Sequence, residues 1–140
     1  MKKTVLLFFL LGTFAVTGQT PKERIKALKT SFITRELDLG AKEAAEFWPI
    51  YFEYDEALEN TRRKQSRKIL EDYKNIDTMT DEKARAVVKE YLKAEAALLK
   101  AQQDLIDNLA GVLPDVKILR LLRAEKAFNQ RMLQRLKNRN

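Results

Sequence analysis

The sequence predicts an all-α chain of four helices, one of them long and kinked. Three observations carry this. Apolar residues recur at three- and four-residue steps along most of the chain, and no stretch alternates with the two-residue period of a strand. Beyond residue 18 the only glycines and prolines are Gly40, Gly111, Pro21, Pro49 and Pro114, and all but Pro49 fall where the periodicity starts or stops. Cysteine is absent, so packing alone must hold the fold.

Residues 1–18, MKKTVLLFFLLGTFAVTG, read as a secretory signal peptide. Lys2 and Lys3 form a positive start, Val5 to Val16 an apolar core, and Val16-Thr17-Gly18 a small-residue cleavage site before Gln19. The apolar run is short against the roughly 20 residues that cross a bilayer core; retention as an anchor is the alternative. No cysteine follows it to carry a lipid. Eighteen of the 140 residues belong to this segment, leaving 122 at 19–140 for a single all-helical domain.

The first helix is expected over 21–37. Pro21 stands at the opening position where proline is tolerated, and Ile25, Leu28, Phe32 and Leu39 form a stripe that Ile33 and Leu37 widen. Gly40 reads as the N-cap of a second helix over 41–75, with Glu43 at the capping-box position. At 1.5 Å per residue this helix is roughly 50 Å long. Its stripe is Ala44, Phe47, Trp48, Tyr51, Tyr54 and Leu58, resuming at Ile69, Tyr73 and Ile76. Between Leu58 and Ile69 lies ENTRRKQSRK, which has no apolar residue and no Gly or Pro to break the helix. A continuous helix is favoured over a loop there.

Pro49 sits among the aromatics of EFWPIYFEY, where it frees the carbonyl of Ala45 and is expected to bend the helix. Phe47, Trp48, Tyr51 and Tyr54 on one side of the bend read as core before partner contact. Thr80 caps a third helix over 80–110, whose stripe includes Val87, Tyr91, Leu98, Leu105 and Leu109 and which Gly111 is expected to end. Leu113-Pro114-Asp115 opens the fourth, over 114–137, with Ile118, Leu121, Leu122, Phe128, Met132, Leu133 and Leu136 on one face.

Enzyme chemistry finds little to work with. Histidine and cysteine are both absent, which removes the usual general base, nucleophile and metal ligands, and there is no glycine-rich phosphate loop. No cofactor is implied. Carboxylates such as Asp55, Glu56 and Glu59 have basic neighbours at helical spacing and read as an ion-paired surface. The balance is basic, 27 Lys and Arg against 20 Asp and Glu. Export argues against a nucleic-acid partner; a basic surface outside the cytoplasm attracts acidic protein segments or, weakly, anionic membranes.

Two features stand out against the helical pattern. Arg62, Gln65 and Ser66 continue the face that carries Phe47, Tyr51 and Leu58, and with Arg63 and Arg67 they make a cationic section flanked by aromatic patches. That suits a surface which captures by charge and holds by apolar contact, so these five are the candidate client- or partner-binding residues. A merely solvated helix arm is the other reading. Glu125 falls inside the apolar face of the fourth helix, where a carboxylate must be paired or neutralised. Arg35 is its candidate partner, unless Glu125 lies in water at the bundle edge.

ITRELDLGAKEAAEFWPIYFEY, residues 33–54, resembles the first block of the Spy/CpxP-like periplasmic proteins, the LTXXQ-motif family, and most of all the branch labelled sensor of ECF-type sigma factors. The pentapeptide aligns with Leu39, Gly40, Ala41, Lys42 and Glu43; VLPDVKILRLLRAEKAF, residues 112–128, resembles that branch's Leu-Pro entry to the last helix. Gly40 stands where the family has a capping threonine and Glu43 where it has glutamine, which predicts a less firmly fixed helix start. The resemblance implies a periplasmic protein forming a curved antiparallel homodimer. It implies two functions: an ATP-independent chaperone for unfolded or partly folded envelope proteins under stress, or a sensor subunit bound to one signalling partner such as a kinase sensor domain or sigma-factor system. A basic protein of the membrane surface is a third reading. The metal-sensor label of some relatives has no His or Cys ligands to rest on here.

Overall fold

The computed structural model describes residues 18–138. The segment read as a signal peptide lies outside them except for Gly18. Four helices follow in order: α1 (Pro21–Leu37), α2 (Ala41–Lys74), α3 (Asp81–Leu109) and α4 (Asp115–Lys137), with a 3₁₀ turn at Ile76–Thr78 between α2 and α3. Among the described residues there is no strand.

Each helix start has a local cause. The Thr20 hydroxyl accepts from the Glu23 amide at 3.2 Å while the Thr20 amide donates to the Glu23 carboxylate at 2.6 Å, a full capping box one residue before Pro21. At α2 only half a box exists. The Gly40 amide donates to Glu43 Oε2 at 3.0 Å, and glycine has no side chain to reciprocate. The expected loose start is nevertheless tied down from elsewhere: Lys117 Nζ reaches Glu43 Oε2 at 2.6 Å and the Asp38 carbonyl at 2.7 Å, joining the beginnings of α2 and α4. Thr80 accepts from the Lys83 amide at 3.3 Å to open α3.

The helix ends differ from the expected ones in one respect. α1 closes on Asp38 in the left-handed region (φ 50°), a conformation that aspartate tolerates better than most residues. Gly111 has no such conformation, so it is not a left-handed cap. Instead α3 winds down through bonds from the Val112 and Leu113 amides to the Leu109 carbonyl, both 2.9 Å. Pro114, which disfavours helix in the residue before it, then turns the chain into α4 and stands outside that helix as its N-cap.

The core lies where the end of α1, the start of α2, the end of α3 and the start of α4 converge. Phe32, Ile33 and Leu37 meet Phe47, Tyr51, Leu105, Leu109, Leu113, Ile118, Leu121, Ala124 and Phe128. α1 packs along α4, and α2 along α3. Leu39 and Trp48 of the motif regions are half-buried against this core. Pro49 and Ala45 are both exposed, so the carbonyl deprived of its helical donor faces water and the helix continues unbroken through them. The aromatic residues pack beneath: Phe47 stacks on Tyr51 with centroids 5.3 Å apart, and Trp48 on Phe52 at 5.1 Å.

Past Leu58 the apolar stripes find no such cover. Leu70, Tyr73 and Ile76 on the α2 side, and Val88, Tyr91, Leu92 and Leu99 on α3, are exposed although α2 and α3 stay side by side. Ile25 and Leu28 of α1 and Leu133 and Leu136 of α4 are exposed as well.

Candidate functional site

Two surfaces follow from this arrangement. The first is a cleft of about 1030 Å³ between the first half of α1, the middle of α2 and the second half of α4. Its deeper walls are apolar: Phe52, Leu58, Leu122, Phe128 and Met132 are buried or half-buried. Of the four carboxylates lining the cleft, three have partners and the exposed Glu56 has none among the described residues. Tyr51 donates to Glu125 Oε1 at 2.9 Å, and Lys29 pairs with Asp55. Glu59 accepts from Lys22 at 3.3 Å and from Arg63.

Glu125 is therefore not paired with Arg35. The Arg35 side chain is 66% exposed, lies 3.8 Å from Glu36 and caps the Phe32 ring at 5.5 Å. It leaves the apolar face of α1 on the outer side, whereas Tyr51, one turn along α2 from Phe47, projects straight at α4. Burial pushes the Glu125 carboxyl above its ordinary range; the Tyr51 hydrogen bond and the positive charge of Lys29 oppose this without cancelling it. Burial, then the charge of Glu125, raises the Tyr51 hydroxyl strongly, and the same two causes push Tyr54 up to about 12. At Glu59 partial burial acts upward, but Lys22 and Arg63 outweigh it and hold the carboxyl low.

The five candidate binding residues do not converge. Arg62, Arg63 and Ser66 line the cleft. Gln65 turns to α3, donating to Glu95 at 2.8 Å, and borders a second, smaller groove of about 240 Å³ between α2 and α3. Arg67 is exposed and borders neither. Residues outside the candidate set complete the cleft: Lys22, Lys26 and Lys29 from α1, and Lys126 from α4. The lysines of α1 already sit at four- and three-residue steps in the sequence, so their common face was legible. That this face meets the middle of α2 was not.

The second surface is the α2–α3 pair beyond the core. Ile69, Val87, Tyr91 and Ala94 border its groove, and Leu70, Tyr73, Val88 and Leu92 extend the apolar surface around it, interleaved with Lys64, Lys68 and Lys89 and with Asp72, which pairs with Lys68 at 3.0 Å, and Glu90. Among the described residues no group of acids is placed to hold a metal, and no helix is long and apolar enough to cross a membrane.

Compared with protein-family models, curated proteins and solved structures, the chain matches none.

Proposed function

We propose that this is an exported, non-enzymatic protein of the periplasm that holds non-native envelope proteins during stress, without ATP. One observation carries the reading: the apolar stripe of the α2–α3 pair, from Leu70 and Tyr73 to Val88 and Leu92, is left uncovered and is interleaved with charged residues of both signs. Monomeric soluble proteins rarely expose contiguous apolar surface on this pattern unless it meets a partner. Apolar contact supplies affinity for exposed segments of a client, and the Lys and Arg side chains supply long-range capture. The resemblance to Spy/CpxP-like proteins in residues 33–54 and 112–128 points the same way. In this account a second copy shares the uncovered stripe when no client is bound, as a curved antiparallel homodimer, and the proline at position 49 gives α2 its bend.

The test is aggregation of two unrelated, chemically unfolded proteins, followed by light scattering with the mature chain present and ATP absent. Suppression of both supports client holding. If neither is affected while one envelope protein co-purifies at fixed stoichiometry, the chain is instead the sensor subunit of a signalling system.

A further inference from the structure

The cleft between α1, α2 and α4 has a different chemistry from the α2–α3 stripe. Its deeper wall is apolar, formed by Phe52, Leu58, Leu122, Phe128 and Met132. Six cations line it, Lys22, Lys26, Lys29, Arg62, Arg63 and Lys126, against four acids, Asp55, Glu56, Glu59 and Glu125. Asp55 is taken by Lys29 and Glu125 by the Tyr51 hydroxyl. Lys22 and Arg63 share Glu59. Arg62 and Lys126 have no carboxylate within ion-pair distance among the described residues, and Lys26 sits over the Phe52 ring at 4.3 Å. An apolar floor under a cationic rim complements one kind of ligand.

We propose that this cleft binds a single-chain anionic amphiphile, a long-chain carboxylate or the equivalent anionic lipid, with the acyl chain along the floor and the head group at the cationic rim. Its volume of about 1030 Å³ lies at the top of the range of small-molecule sites, roughly 300–1,000 Å³. A polypeptide fits the floor poorly. It would bring an amide with every residue, while Glu125 and Asp55 are already taken by Tyr51 and Lys29. Unpaired amides in such a place are costly. An acyl chain brings none, and each methylene it buries adds favourable apolar transfer. The guanidinium of Arg62 suits the head group because its planar fork matches a carboxylate or phosphate.

The experiment is calorimetric titration of the full mature chain with laurate below its micelle concentration. Dodecyl maltoside and dodecyltrimethylammonium serve as ligands with the same tail. One saturable laurate site is expected, at least tenfold tighter than either analogue. The triple variant Lys26→Gln, Arg62→Gln, Lys126→Gln, altered only at exposed positions, should weaken laurate at least tenfold and leave dodecyl maltoside unchanged. A second variant, Leu122→Gln, should weaken all three ligands alike while its helical circular dichroism is retained. Non-saturable uptake, equal affinity for laurate and maltoside, or laurate binding untouched by the triple variant would overturn the proposal. Phosphatidylglycerol vesicles carrying its single-chain lyso form separate the sources: loss of bound laurate beyond what its own partition into the bilayer removes identifies membrane lipid as the donor, and its absence identifies the free carboxylate. Vesicle binding without any laurate site would place the affinity on the surface and overturn the cleft assignment. Client holding rests on other residues, so the two readings can fail independently.

Discussion

The hydroxyl of Tyr51 donates to Oε1 of Glu125 across 2.9 Å, joining the buried face of α2 to α4 at the edge of the core. The pair shapes stability in two ways. Removing the donor leaves a largely desolvated carboxylate unsatisfied, so Tyr51→Phe should cost about 1–3 kcal/mol in denaturant unfolding. Combined with Glu125→Gln the losses should be non-additive, whereas Arg35→Ala and Glu125→Gln should add, because Arg35 lies elsewhere.

The pH dependence follows from the direction of the Glu125 shift. Its folded carboxyl binds a proton more readily than the unfolded one, so its contribution is fully present below the unfolded pKa of about 4.5 and is lost as pH rises through the higher folded value. Glu125→Gln removes that loss. The variant should gain on the native chain between pH 4 and pH 7.5, as read from urea midpoints. Glu43 has the opposite sign: the Lys117 hydrogen bond, then the Gly40 amide, lower its carboxyl, and the stability it gives is lost as pH falls through its folded value. A Lys117→Met variant should therefore lose less of its stability on acidification than the native chain. An unchanged acid limb would mean that the tie between α2 and α4 is absent in solution.

Much of the fold is legible from residue spacing, and what escapes does so for identifiable reasons. The stripes through Phe32, Phe47, Tyr51, Leu105 and Leu121 mark the core because helical period and burial coincide there. The same period through Tyr73, Val88 and Leu92 marks no core, since periodicity says which residues share a face and not whether another helix covers it. Glu125 announces a buried acid, but its partner is a tyrosine hydroxyl from α2, a donor that charge matching overlooks. The cleft escapes for a topological reason: which halves of α1 and α4 diverge around α2 depends on contacts far apart in sequence.

Gly40 offers a direct gain. Its backbone is extended at φ −70°, and an added Cβ would meet nothing closer than Glu43 Oε2 at 3.8 Å. Gly40→Ser restores the missing half of the capping box and restricts the unfolded chain. It should stabilise the protein by about 0.5–1 kcal/mol in thermal or urea unfolding.

Pro49 is expected to bend α2. Pro49→Ala returns a donor to the Ala45 carbonyl on the exposed face, and the helix should straighten. The chain has no native cysteine, so spin labels at Lys42 and Arg67 report the span cleanly. Their distance should lengthen in the variant. An unchanged distance would show that the aromatic packing, and not the proline, sets the course of the helix.

The claim that an uncovered stripe on the α2–α3 pair holds non-native proteins is tested most directly by fluorescence anisotropy of a labelled, permanently unfolded polypeptide titrated with residues 19–140. Saturable binding is predicted, weakened at least tenfold by Leu70→Ser, Tyr73→Ser and Leu92→Ser together at exposed positions that leave the core intact. No binding by the native chain, or equal binding by the triple variant, would contradict it.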